Sequence, residues 1–230
     1  MLQMGSRTRP GAWVGSSRSP EAHAFEENYY RDVCGQRQTR FDRARDDRVV
    51  DLVQRHAPPP GPKSALLDIG CGYGHLLRRF ANRYRLAGVD VSAHAAGVAR
   101  SRIPGATVVT ADIQRSLPFN RPCDVVLAIN VIEHLQDPVA GVGAIRGALV
   151  AGGMCVVHLP TVNGPVSRAI YRFAYSKDPT HIYRPSGNEV RRLFESQGLA
   201  EIEGSYAPHR PWLGSRRGWH PAYLAAFRRA

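Results

Sequence analysis

The chain has 230 residues, 43% of them hydrophobic, so one α/β domain with decorations can bury a sizeable core. No run approaches the ~18 apolar residues of a bilayer-spanning helix. Residues 1–20, rich in Gly, Ser, Arg and Pro, lack the apolar stretch of a secretory signal. The four cysteines (Cys34, Cys71, Cys123, Cys155) are scattered without a C-x-x-C pair, which excludes zinc-type spacing and suits reduced, buried thiols in a cytoplasmic protein. The formal charge of +12 invites nucleic acid as a partner. However, every basic residue except Lys63 and Lys177 is arginine, the arginines are spread along the chain, and no RNA-binding module is visible. A basic surface equally suits an acidic substrate, a carrier or anionic lipid.

In chain order, residues 1–20 read as a disordered tail and 21–62 as a helical cap with a proline-rich linker. Phe25, Tyr29 and Tyr30 precede a helical pattern carrying Phe41, Val49, Val50, Leu52 and Val53, and Pro58–Pro62 stops it. The main domain, 63–230, alternates strand and helix. Ala65–Ile69 is a buried strand, His75–Tyr84 is expected as a helix, and Leu86–Val91 is the second strand. Ser92 caps a helix running to about Ser101. Thr107–Thr110 is the third strand and Cys123–Ile129 the fourth. Asp137–Val150 is a helix, and Met154–Leu159 is the fifth strand. A substrate-side insertion follows over 163–185. Ser186 and Glu189 form a capping-box pattern for a helix that buries Val190, Leu193 and Phe194 and ends at Gly198. Leu199–Tyr206 is the sixth strand. Ala and Leu propensity favours a helix over Pro221–Arg229, but topology calls for an antiparallel last strand there, and a strand is expected. The fold class is therefore α/β, a Rossmann-like, doubly wound, seven-stranded, mostly parallel sheet with an antiparallel last strand and a helical N-terminal cap. Right-handed crossovers place the strand ends on one edge, where a ligand binds.

The chemistry sits at the first of those ends. Asp68-Ile69-Gly70-Cys71-Gly72-Tyr73-Gly74-His75 is a strand end, an acid and a glycine turn. A dinucleotide fingerprint places its third Gly five residues after the first. Here His75 occupies that position, and Gly70, Gly72 and Gly74 are spaced by two. This D-x-G-x-G-x-G run resembles motif I of class I S-adenosylmethionine-dependent methyltransferases of the small-molecule branch. Asn130-Val131-Ile132-Glu133-His134-Leu135 resembles the motif that follows the fourth strand in that family.

The resemblance covers roughly Lys63 to Leu159. It implies S-adenosylmethionine as cofactor, with S-adenosylhomocysteine as its product. Asp68, Gly70, Cys71, Gly72 and Gly74 would form the donor turn, with the Asp68 carboxylate suited to the cationic end. Asp90, with Val91, would accept from a ribose diol. Asp112 and Ile113 would meet the adenine, and Asn130 the methionine moiety or the methyl-transfer gate. A cap tyrosine, Tyr29 or Tyr30, would approach the donor, against the plainer reading of aromatic packing.

The run Asp178-Pro179-Thr180-His181 through Ser186 is similar to one found in small-molecule and lipid-linked methyltransferases. It places His181, with His134, at the acceptor as the candidate catalytic bases. No metal is required, although Asp178 and His181 leave a metal alternative. The expected reaction is O-methylation of a small hydroxylated metabolite such as a sugar, a quinone or polyketide precursor or a lipid-linked compound. An RNA or protein methyltransferase and a non-catalytic S-adenosylmethionine-binding protein are the other readings. The sequence leaves the acceptor and the oligomeric state open.

Overall fold

The computed structural model describes residues 25, 29–30, 38–119, 121–175, 178–206 and 220–230. The tail 1–20, Cys34 and residues 207–219 lie outside the described residues.

Helix α1 (Arg40–His56) starts at a reciprocal cap: the Thr39 hydroxyl accepts from the Asp42 amide, and the Asp42 carboxylate accepts from the Thr39 amide. The proline run that follows cannot continue it. Five strands form the parallel part of the sheet: β1 (Ala65–Ile69), β2 (Arg85–Asp90), β3 (Thr107–Thr110), β4 (Cys123–Ile129) and β5 (Leu149–Pro160). Helix α2 (Ala93–Arg102) joins β2 to β3, and α3 (Pro138–Ala148) joins β4 to β5. After β5 come α4 (Pro165–Ala174), α5 (Gly187–Ser196), β6 (Leu199–Ser205) and β7 (Ala222–Arg229). The seven strands lie in the order β3-β2-β1-β4-β5-β7-β6. β7 runs antiparallel to both β5 and β6, so the strand expected over Pro221–Arg229 is present despite its helix-favouring composition. Six of its eight residues are buried, and pairing on both sides outweighs a few tenths of a kcal/mol per residue of intrinsic preference.

The strands bury both faces, and alternate residues divide the core in two. Leu66, Val125, Leu127 and Val156 pack with Val49, Leu52 and Val53 of α1 and with Ala96 and Ala99 of α2. Leu67, Ile69, Val126 and Val157 pack with Val142 and Ile145 of α3 and with Val190 and Phe194 of α5. Phe194 stacks on Phe227 of β7 at 4.5 Å between ring centres.

The helix expected over His75–Tyr84 is instead a series of turns around a 3₁₀ segment, Leu77–Phe80. Its amides bond three and four residues back, as in Arg79 N to Leu76 O and Tyr84 N to Phe80 O. The tighter winding still buries Leu76, Leu77, Phe80 and Tyr84, so the apolar pattern is satisfied without a regular helix. β5 also begins five residues earlier than expected, with Leu149 paired to Cys123 before an irregularity that carries Gly152 at φ 73°.

Candidate functional site

A cavity of about 820 Å³ opens over the carboxyl ends of β1, β2 and β4, floored by the glycine turn and roofed by Tyr29, Tyr30 and the start of α1. Of the expected donor and acceptor residues, Asp68, Gly70, Cys71, Gly72, Asp90, Val91, Asp112, Ile113, Asn130, His134 and His181 line it, and Gly74 does not.

The glycine turn is shaped by its residues. Gly70, Gly72 and Gly74 have φ of 67°, 52° and 74°, a left-handed conformation that costs a side-chain-bearing residue energy. A Cβ on Gly70 would lie 2.4 Å from Val131 Cγ2, so the turn also approaches the segment after β4. The amides of Gly70 and Cys71 both donate to Val89 O, at 2.8 and 3.0 Å, and hold the turn against β2. Cys71 is buried and free, as are Cys123 and Cys155. Burial pushes the Cys123 thiol up to about 11.

Asp90 ends β2 and is 3% exposed. The Gly72 amide donates to its Oδ2 at 2.8 Å, and the Ser92 amide to its Oδ1 at 2.9 Å. The Tyr30 hydroxyl bonds both oxygens, at 3.0 and 2.9 Å. Burial raises the carboxyl above its ordinary range, and the amides and phenol partly oppose the rise. Val91 follows it on the cavity wall.

Asp68 shares the sheet face of Leu66, which turns it toward α1, and it too is 3% exposed. Burial, then the neighbouring Asp46 and Asp90, holds its carboxyl well above the usual range, with Arg45 acting the other way. Asp46 is itself buried and accepts from Gln38 Nε2 at 2.6 Å and Arg45 Nη2 at 2.9 Å. Arg45 also meets Asp42 at 3.2 Å. Asp42 and Asp46 draw Arg45 into the cavity wall.

Asp112 caps its own turn, accepting from Gln114 N at 3.0 Å, and Ile113 beside it is buried. Asn130 has φ 55°, and its Oδ1 lies 2.6 Å from His158 Nδ1 on β5, a partner not foreseen from sequence.

At the far end of the cavity, the segment after α4 folds back on the turn after β4. The amides of Ile182 and Tyr183 both donate to Glu133 O, at 3.0 and 2.9 Å. His134 and His181 are thereby brought together, edge to face, with ring centres 4.9 Å apart. His134 Nδ1 lies 3.1 Å from Thr180 O and 2.9 Å from Thr180 Oγ1. Burial, then the neighbouring His181, lowers the His134 pKa to about 4, so it is neutral at physiological pH. His181 is 7% exposed, with Nδ1 3.2 Å from the Tyr171 hydroxyl and Nε2 3.5 Å from Asp178 Oδ2. Burial lowers its pKa, and Asp178 opposes that. Burial disfavours the Asp178 charge, but bonds from the Thr180 hydroxyl and amide and from Tyr29 hold its carboxyl below the usual range. The Glu133 side chain is wholly buried, and neither carboxylate oxygen has a partner. Burial raises it to about 8.

Residues 41–203 match the model of a family described as a methyltransferase domain. A trans-aconitate 2-methyltransferase of Acidovorax ebreus is 31% identical over 188 residues, 80% of this chain and 69% of that protein. One from Variovorax paradoxus is 25% identical over 189 residues, 80% of this chain and 70% of that protein. Among solved structures, the N-methyltransferase NodS of Bradyrhizobium japonicum with S-adenosylhomocysteine aligns at a TM-score of 0.61 and 19% identity, covering 84% of this chain and 89% of that one. The magnesium protoporphyrin IX methyltransferase of Synechocystis with the same molecule bound aligns at 0.64 and 14% identity, covering 88% and 97%.

Proposed function

The chain belongs to the methyltransferase-domain family and is an S-adenosylmethionine-dependent enzyme, and on that premise we propose that it methylates a hydroxyl of a small metabolite. Two observations favour that donor in this cavity: the floor is a turn of left-handed glycines, and two buried carboxylates face it that form no ion pair among the described residues. Asp68 would hold the ammonium end of the donor, Asp90 and Val91 the ribose, and Asp112 and Ile113 the adenine. Gly70, Cys71, Gly72 and Gly74 would lie against the donor with their backbone, and Asn130 would border the transferring methyl.

When bound, the donor supplies a methyl already activated on sulfonium: the acceptor oxygen–carbon bond forms as the carbon–sulfur bond breaks, and sulfur keeps the electron pair. The residues of this chain then hold the two reactants in line, which supplies ~7 kcal/mol or more without a covalent enzyme intermediate. A hydroxyl must lose a proton as it attacks, and His134 and His181 are the groups at the acceptor end through which that loss would be promoted.

The observation that carries the hydroxyl assignment is the charge of the acceptor end. Among the described residues lining the cavity, Arg45 is the one arginine or lysine, and Asp42 and Asp46 already pair it. A polycarboxylate acceptor, such as the relatives' names indicate for those enzymes, would find no unpaired arginine or lysine among those described residues, whereas a neutral hydroxylated acceptor meets imidazoles, tyrosines and Asp178. The test is to incubate the protein with S-adenosylmethionine and matched panels of hydroxylated and carboxylic metabolites, assaying S-adenosylhomocysteine and methylated product. Methyl ethers are expected; methyl esters alone would overturn the assignment. His181→Ala should lower turnover while S-adenosylhomocysteine affinity is kept.

A further inference from the structure

The acceptor end of the cavity also has the makings of a metal site. One ligand atom from each of Glu133, His134 and His181 lies within 4.8 Å of the others. Two imidazoles and a carboxylate are a common donor set for divalent first-row transition ions, and they leave coordination positions open.

Three independent features of the structure support such an ion. First, Glu133 is 0% exposed, and both its carboxylate oxygens are without a hydrogen-bond partner, in the cluster itself. A buried carboxylate in that condition is costly unless a cation or proton meets it. Second, each imidazole is held through Nδ1 by a protein oxygen, His134 by Thr180 O and His181 by the Tyr171 hydroxyl. With Nδ1–H donating to those oxygens, Nε2 would be the ligating atom of each ring, the arrangement that orients metal-ligating histidines. Third, Asp178 Oδ2 stands 3.5 Å from His181 Nε2, long for a strong hydrogen bond, so a second carboxylate borders the same space. Glu133 and Asp178 together balance a dication, which matters beside a donor that already carries a sulfonium.

The geometry points to a divalent transition-metal site formed by Glu133, His134 and His181, with its open positions toward the acceptor. The inference rests on the methyltransferase reading only for what fills those positions: the acceptor oxygen. Coordination lowers the pKa of a bound hydroxyl, as it does for water. The proton is then released to solvent on binding, and both histidines serve as ligands rather than as bases. The nitrogen donors make the site one for zinc, cobalt or manganese in preference to magnesium or calcium, which favour all-oxygen shells.

The test uses the full chain, stripped with a chelator and titrated with Co2+ while its visible d–d absorption is recorded, then displaced with Zn2+. S-adenosylhomocysteine affinity is measured in parallel by calorimetry. One Co2+ per chain is expected. Its affinity should fall at least about tenfold in the near-isosteric Glu133→Gln and about 10–100-fold in Tyr171→Phe, which removes only the oxygen orienting His181. S-adenosylhomocysteine affinity should hold in both, which also reports that they fold. Protein that binds S-adenosylhomocysteine but no Co2+ overturns the metal site and leaves Glu133 a buried, protonated acid, with the methyltransferase reading intact. Co2+ binding that neither variant alters overturns it as well. Co2+ binding lost in Glu133→Gln, in a protein that ignores S-adenosylhomocysteine, supports the site and removes the methyltransferase reading instead.

Discussion

The Tyr30 hydroxyl donates to both carboxylate oxygens of Asp90, 60 residues away. The Gly72 and Ser92 amides already take one oxygen each, so the phenol occupies the acceptor capacity a ribose diol would use. On the proposed placement of the ribose at Asp90, the donor would have to displace it. Tyr30→Phe should therefore tighten S-adenosylhomocysteine binding by about 2–10-fold, the worth of one hydrogen bond. Weaker binding, read by calorimetry, would show instead that Tyr30 stays in place and contacts the donor.

Asp68 separates stability from affinity. Burial and two neighbouring acids hold its carboxyl well above the usual range, so ionising it at neutral pH costs the ligand-free fold energy. Asp68→Asn should leave the urea midpoint unchanged or raised. Its affinity for the donor should fall about 10–100-fold, as for a lost charge-assisted hydrogen bond. A large loss of stability with affinity retained would place the carboxylate in a structural role.

Gly70→Ala adds a methyl 2.4 Å from Val131 Cγ2 at φ 67°. The overpacking costs about 1–3 kcal/mol, and it falls between the glycine turn proposed to hold the donor and the segment that carries Asn130 and His134. Donor affinity should drop with the melting temperature. Wild-type values for both would show that the turn has slack.

Glu203 on β6 accepts from Arg55 Nη2 at 3.1 Å and lies 2.8 Å from His56 Nε2, which ties the end of α1 to the sheet edge. The Arg55 bond, then His56, lowers its carboxyl to about 2 against the opposing effect of burial. The folded pKa is below the unfolded one, so the stabilisation is complete above about 4.5 and lost as pH falls toward about 2. For so exposed a pair it is about 0.5–1 kcal/mol. The difference in urea midpoint between wild type and Glu203→Gln should be flat above pH ~5 and shrink below it. A difference that grows with acid would contradict the assignment.

What the sequence disclosed depended on whether a signal was local. The strands β1 to β4 and the glycine turn are contiguous runs whose hydrophobicity and spacing carry the information directly. So are the Thr39–Asp42 and Ser186–Glu189 caps, of which Ser186–Glu189 was read beforehand. β7 was recoverable only through topology, because its Ala and Leu content favours a helix and its strand state depends on two neighbours distant in the chain. The segment 75–84 misled for the converse reason: apolar residues at helical spacing are satisfied equally by a tighter turn. Partnerships across the cavity, Tyr30 with Asp90, Asn130 with His158 and Thr180 with His134, join elements from separate regions, and no single stretch announces them. Glu133 showed only as part of a motif, and its unpartnered burial became visible once the loop carrying His181 had folded over it.

The placement of β7 between β5 and β6 sets an order of assembly. Among the described residues β6 has no neighbour in the sheet except β7, and β7 is the antiparallel partner of β5 along seven residue pairs from Met154 to Pro160. During synthesis, β6 emerges before anything exists to receive it, and β5 presents a bare edge over the same interval. The parallel half, β1 to β4, can compact early, whereas joining the second half must wait until the ribosome has delivered residues through Arg229. Removing that one strand would leave β5 and β6 with open sheet edges, an arrangement prone to pairing with other chains.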